Sequence, residues 1–259
     1  MKKWFVVGVL GLIAFEIANV YFIMPLPYSQ RVRSIDVAFA LYSWRWVVRA
    51  ASVALMVLGV RSLWRVTGWR RWSAPLAVGI AAVVAYVTNF QMAADKMFLI
   101  PEQLTMVPSS ASAVEKNRLV VGVFLNGEAR AYPVQFLGYH HQVRDRIGGE
   151  PILVTFCTVC RTGRVFSPMI DSIEERFRLV GMDHFNAMFE DATTHSWWRQ
   201  ANGEAVIGPM KGTAMPELPT VQVSLKQWIK LHPETLVMQA DPAFTAEYSK
   251  DYEIGRAHV

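Results

Sequence analysis

Hydrophobic positions along the chain follow two regimes. Up to about residue 94 they form long, nearly unbroken runs; beyond about residue 118 they form short runs between turn residues. Three long runs match the roughly 20 apolar residues that a bilayer-spanning helix requires. They are Phe5 to Met24, about Val37 to Val60, and about Ala74 to Ala94. Lys2 and Lys3 precede the first run, as they would a signal peptide. The run is long for a signal h-region, however, and Pro25-Leu26-Pro27-Tyr28 offers no small-x-small cleavage site, so a retained helix is expected. Between Pro101 and about Lys116 no period is sustained, and Pro and Ser recur as in a linker.

The second regime predicts strands. Leu119–Leu125, the turn Asn126-Gly127 and the return Glu128–Tyr132 form a hairpin. His140–Ile147 alternates weakly and ends in Gly148-Gly149. Pro151–Phe156 is a continuous apolar run, expected as a buried central strand. Arg164–Phe166 and Arg176–Val180 read as further strands, and Ser224 caps a short helix that Pro233 ends. The predicted fold class is three N-terminal transmembrane α-helices plus a mainly-β (α+β) soluble domain. The predicted organisation is an anchor over 1–94, a linker over 95–117 and a Cys-x-x-Cys domain over 118–252. Residues 253–259 are expected to be an artefactual tail, because Glu253-Ile-Gly-Arg-Ala-His-Val259 resembles a translated sequencing adapter.

Charge supports this division. The net charge of +5 is concentrated in residues 1–100, where 11 Lys/Arg face 3 Asp/Glu; residues 101–259 carry 15 against 18. The basic excess therefore belongs to the membrane half, and no nucleic-acid partner is expected. Lys2, Lys3, Arg61, Arg65, Arg70 and Arg71 flank one side of the spans, Arg31 and Arg33 the other. This asymmetry predicts a cytoplasmic N-terminus and an outside second half, in a bacterial inner membrane with the domain in the periplasm. Tyr21, Tyr28, Tyr42, Trp44, Trp64, Trp69 and Trp72 cluster near the span ends as an interfacial belt would. Glu16, Arg45 and Arg49 lie inside the spans, and the cost of an unpaired charge in lipid predicts a Glu16–Arg45/Arg49 pair.

All candidate chemistry lies in the second half, which holds all six histidines and both cysteines. Cys157-Thr158-Val159-Cys160 ends the apolar strand and is followed by Arg161-Thr162-Gly163-Arg164. Two thiols at this spacing can cycle through a disulfide, form a passive one, or share a metal ion. Arg161 in place of His excludes c-type haem attachment. In the redox reading Cys157 and Cys160 react, with Cys157 as attacker, His140 as acid–base partner and Arg161 as thiolate stabiliser; no cofactor is required. In the metal reading Cys157, Cys160, His140 and His141 hold zinc or another transition-metal ion. A Ser-His-Asp set drawn from Asp183, His184, Asp191, His195 and Ser196 lacks a nucleophile elbow. Trp197-Trp198 is expected in the core or a cleft wall.

Glu128-Ala-Arg-Ala-Tyr-Pro133, Tyr139-His140, Asp145, Gly149, Pro151, Val154-Thr155 and the Cys157/Cys160 pair resemble the bacterial and archaeal family called domain of unknown function 3179. The resemblance continues through Arg164-Val165-Phe166, Gly181, Asn186, Asp191, Thr194, Ser196-Trp197-Trp198, Gln200, Gly203-Glu204-Ala205 and Gly208. It ends with Leu218-Pro219, Trp228, His232-Pro233 and Thr235-Leu236-Val237. It brings no established activity. Some members are described as possible selenoproteins with selenocysteine in this motif, which implies chemistry at the thiol pair. Here Phe156 and Thr158 replace the family's usual Tyr and Pro around the first Cys, and His141 stands where Glu is common. The expected partners are the lipid bilayer and an extracytoplasmic protein or small molecule.

Overall fold

The computed structural model describes residues 2–60 and 71–250. Arg61, Arg65, Arg70, Trp64, Trp69, Tyr252 and the expected tail lie outside the described residues. The chain divides into two compact units, Met1–Met97 and Phe98–Val259.

In the first unit three helices among the described residues are long and apolar enough to cross a membrane: Lys3–Tyr21, Ile35–Val60 and Ser73–Gln91. Many of their large apolar side chains, among them Leu10, Trp46, Leu58 and Val83, are exposed on the unit, as lipid-facing side chains would be. The first two helices pack closely through small residues. A Cβ on Gly8 would lie 2.6 Å from the Ser52 carbonyl oxygen, and one on Gly59 would lie 2.3 Å from the Phe5 nitrogen. The third helix is α-helical over Ser73–Tyr86 and continues as a π-turn over Val87–Gln91.

Glu16 is buried, and its carboxylate accepts from Arg49 Nε at 2.6 Å and Arg49 Nη2 at 2.9 Å. The π-turn adds Asn89, whose Nδ2 donates to Glu16 Oε2 at 2.9 Å and whose Oδ1 accepts from Arg49 Nη2 at 2.7 Å. Arg49 is thus the partner of Glu16. Arg45 instead donates to the Tyr42 carbonyl at 2.6 Å and lies over the Tyr42 ring.

The second unit is mainly β. One five-stranded sheet runs in the order Met106–Pro108, Leu236–Met238, Glu128–Pro133, Leu119–Leu125, Thr220–Ser224. A second sheet runs Glu217–Leu218, Thr162–Phe166, Glu150–Cys157, Gln142–Ile147. A third runs Ala205–Ile207, Trp197–Arg199, Asn186–Asp191, Phe177–Asp183. Side chains of the first two sheets share one core, which includes Val121, Val123 and Tyr132 with Val143, Ile152, Val154 and Val165. Gly163 permits this approach, since a Cβ there would lie 2.3 Å from Val121 Cγ2. The helix Leu225–Leu231 closes the other face of the first sheet over Val120, Ala131 and Val237. Ser224 caps it through a reciprocal bond with Gln227.

Two segments differ from the sequence reading. Met106–Pro108, inside the stretch expected to be linker, pairs antiparallel with Leu236–Met238. Val134–His140 is a helix, and the strand begins only at Gln142. The switch occurs at His141, which adopts φ 60° and ends the helix.

Candidate functional site

The apolar run Pro151–Phe156 lies within a central strand, paired on one side with Gln142–Ile147 and on the other with Thr162–Phe166. The strand ends at Cys157. The turn that follows reverses the chain through Arg161, at φ 55°, so Thr162 returns opposite Cys157. The short spacing brings Cys160 back over Cys157, and the two residues approach to 3.0 Å. Cys160 N–H also donates to Cys157 Sγ at 3.3 Å. Both cysteines are free thiols.

Their surroundings differ. Cys157 is fully buried, whereas Cys160 is exposed. Burial is the largest cause that pushes the Cys157 thiol up to about 11, followed by its hydrogen bond to the Cys160 side chain. The order of reactivity expected from sequence, with Cys157 as attacker, thus runs against accessibility. Val159 and Phe185, both partly exposed, flank Cys160 in the turn and in the hairpin above it.

That hairpin joins Phe177–Asp183 to Asn186–Asp191, with Asp183 opposite Asn186. Its two central residues, His184 at φ 50° and Phe185 at φ 63°, are both left-handed. Such a turn matches the twist of its strands, but a bulky aromatic rarely adopts this backbone. The Phe185 carbonyl oxygen faces both sulfurs, at 3.7 Å from Cys157 Sγ and 3.5 Å from Cys160 Sγ. Asn186 Nδ2 donates to Cys160 Sγ at 3.1 Å. Buried Gln200 links the hairpin to the thiol strands: its Nε2 donates to Thr155 Oγ1 at 3.1 Å and to the Thr162 carbonyl at 3.0 Å. Asn186 and Gln200 belong to the residues that carry the family resemblance, but nothing in their spacing alone signalled a place at the thiols.

The other expected site residues are distributed as follows. Arg161 is exposed at the turn, next in sequence to Cys160, and its carbonyl accepts from Gln222 Nε2 at 3.4 Å. Arg164 pairs with Glu217 at 2.6 Å. His140 is fully buried; its Nδ1 lies 2.5 Å from the Leu99 carbonyl and its Nε2 2.6 Å from the Tyr248 hydroxyl. Its ring is therefore committed to these partners rather than to either sulfur. His141 is also buried, with Nδ1 3.1 Å from the Tyr139 carbonyl. Among the described residues no group of three or more His, Cys, Asp or Glu side chains is placed to hold a metal ion.

Among the described residues, Asp183, His184, Asp191, His195 and Ser196 form no Ser-His-Asp relay. The Asp191 carboxylate accepts from Thr194, His195, Ser196 and Trp198, closing its own turn. Ser196 Oγ is engaged by Thr194 Oγ1 and Met210 N–H. Trp197 and Trp198 are fully buried.

Fold and site together define a class: a mainly-β domain that carries a half-buried dithiol, in a chain with three membrane-length helices. The chain belongs to the family described as Protein of unknown function (DUF3179), whose model matches residues 101–255. No curated protein and no solved structure matches it.

Proposed function

We propose that the domain carries out thiol–disulfide exchange through Cys157 and Cys160, with Cys160 as the attacking sulfur. The observation that carries this reading is the asymmetry of the pair: an exposed cysteine rests against a buried one at the end of a central strand paired on both sides. A passive bridge needs no such difference, whereas an exchange site needs one sulfur that a partner can reach and one that resolves.

In the reaction, Cys160 thiolate attacks one sulfur of a partner disulfide. A mixed disulfide forms, and the partner's other sulfur leaves as a thiolate that takes up a proton. Cys157 then loses its proton and attacks the Cys160 sulfur. The Cys157–Cys160 disulfide forms, and the partner's remaining sulfur leaves and is protonated. Two protein thiols are oxidised and one partner disulfide is reduced to two thiols. The reverse sequence oxidises a partner dithiol. Arg161 favours the thiolate electrostatically in this reading, while His140 supports the fold. The partner is a protein or small-molecule disulfide on the outer side of a bacterial inner membrane.

Trapping tests this. Cys157→Ser in the full chain should accumulate a mixed disulfide through Cys160, and Cys160→Ser should accumulate little. Capture by neither variant, together with a reduction potential below about −300 mV, would establish a passive bridge. If both thiols resist alkylation until a chelator is added, the pair holds a metal ion and the exchange reading fails.

A further inference from the structure

Asn186 begins the hairpin's return strand, is buried, and directs its side-chain amide at the exposed sulfur. The orientation of that amide is fixed by its other bonds. Asn186 Oδ1 accepts from the Ala201 backbone N–H at 2.9 Å, a role only the oxygen can fill. Nδ2 is therefore the atom facing Cys160 Sγ at 3.1 Å, with Gln200 Oε1 at 3.4 Å as its second acceptor. Gln200 is held in turn by Thr155 and Thr162, on the strands flanking the thiol turn.

We propose that the Asn186 carboxamide stabilises Cys160 as a thiolate and so determines which of the two sulfurs attacks. The proposal rests on the exchange reading above and adds the group that activates it. A neutral thiol accepts a hydrogen bond weakly, whereas a thiolate accepts a charge-assisted one, so the amide bond favours loss of the proton. The Phe185 carbonyl acts in the opposite sense, since it can bind only a sulfur that retains its proton. Both sulfurs reach that carbonyl; Cys157 also accepts from the Cys160 backbone N–H, whereas the Asn186 side-chain amide donates to Cys160. Cys157, which is fully buried, is the sulfur better placed to keep its proton, directed at Phe185 or at Cys160. Asn186 is thus a thiolate-stabilising residue, supplied by a different sheet from the one that carries the cysteines.

The test uses the full chain in detergent with Cys157→Ser, so that one thiol remains. The pH midpoint of iodoacetamide alkylation then reports Cys160. It should rise by about one unit or more in Asn186→Ala. Asn186→Asp keeps the acceptor for Ala201 and should raise the midpoint further. An unchanged midpoint in Asn186→Ala overturns the proposal, even if Asn186→Asp shifts it, because charge alone would then explain the effect. Should either variant fail to fold, the Asn186 side-chain amide resonance of the otherwise native chain decides. It should titrate with the Cys160 midpoint; a resonance that ignores that midpoint overturns the assignment. Failure of the exchange reading is separately visible: the midpoint would still depend on Asn186, but Cys157→Ser would trap no partner.

Discussion

His141 illustrates how one residue can serve the site without touching its chemistry. Its left-handed backbone ends a helix, its carbonyl accepts from Phe156 N–H at 2.9 Å, and its ring packs against Phe98. Burial pushes the imidazole down to about 4, although its bond to the Tyr139 carbonyl acts in the opposite direction. A folded-state value below that of the unfolded chain gives stability that is complete above the unfolded value. That stability is lost as pH falls from about 6.5 through 4. His141→Asn tolerates the left-handed backbone and does not ionise. Its melting temperature should fall less between pH 7 and 4.5 than that of the native chain. Parallel curves would remove His141 as the cause. The neighbouring His140, also lowered mainly by burial, should leave some acid sensitivity in the variant. Sequence identified both histidines as residues of interest, but adjacency in the chain could not reveal that each ring has its own partners.

At the scale of elements, the π-turn Val87–Gln91 completes the ion pair between the first two helices by bringing Asn89 to both Glu16 and Arg49. Removing one partner of a buried pair costs about 3–5 kcal/mol because the other charge is stranded. Arg49→Leu should therefore reduce accumulation of the protein in membranes severely, and Arg45→Leu much less. Glu16→Leu combined with Arg49→Leu should recover much of the loss. Equal levels of the Arg49 and Arg45 variants on immunoblots would refute the assignment. The sequence showed that Glu16 needed a partner, because charge in an apolar run is conspicuous. It did not distinguish Arg45 from Arg49, since both lie on one helical face. In the second unit, hairpin chemistry at Asn126-Gly127 and the apolar run before Cys157 made three strands legible. Asn186–Asp191 was not legible: all six residues are buried, so polar and apolar side chains show no alternation. The site's hairpin was hidden for the same reason, and with it Asn186. The helix Val134–His140 is too short for its period to register, and six of its seven residues are buried.

For the whole molecule, the helices are long and apolar enough to cross a membrane, and the Lys/Arg asymmetry of the sequence leads us to expect everything after the third helix outside the cytoplasm. An alkaline phosphatase fusion after Leu104 should be active and a cytoplasmic reporter at the same point silent. The opposite pattern would invert the topology and place the thiols in a reducing compartment, where a stable disulfide is not expected. Connectivity has a further consequence, one of order along the chain. Leu236–Met238 lies between Met106–Pro108 and Glu128–Pro133, antiparallel to the first and parallel to the second. The early segment Met106–Pro108 therefore reaches the sheet only through a strand more than a hundred residues later in the chain. Both cysteines precede that closing strand in the chain. The strand that carries Cys157 and both of its sheet neighbours, Gln142–Ile147 and Thr162–Phe166, are thus complete in the chain before the segment that closes the first sheet.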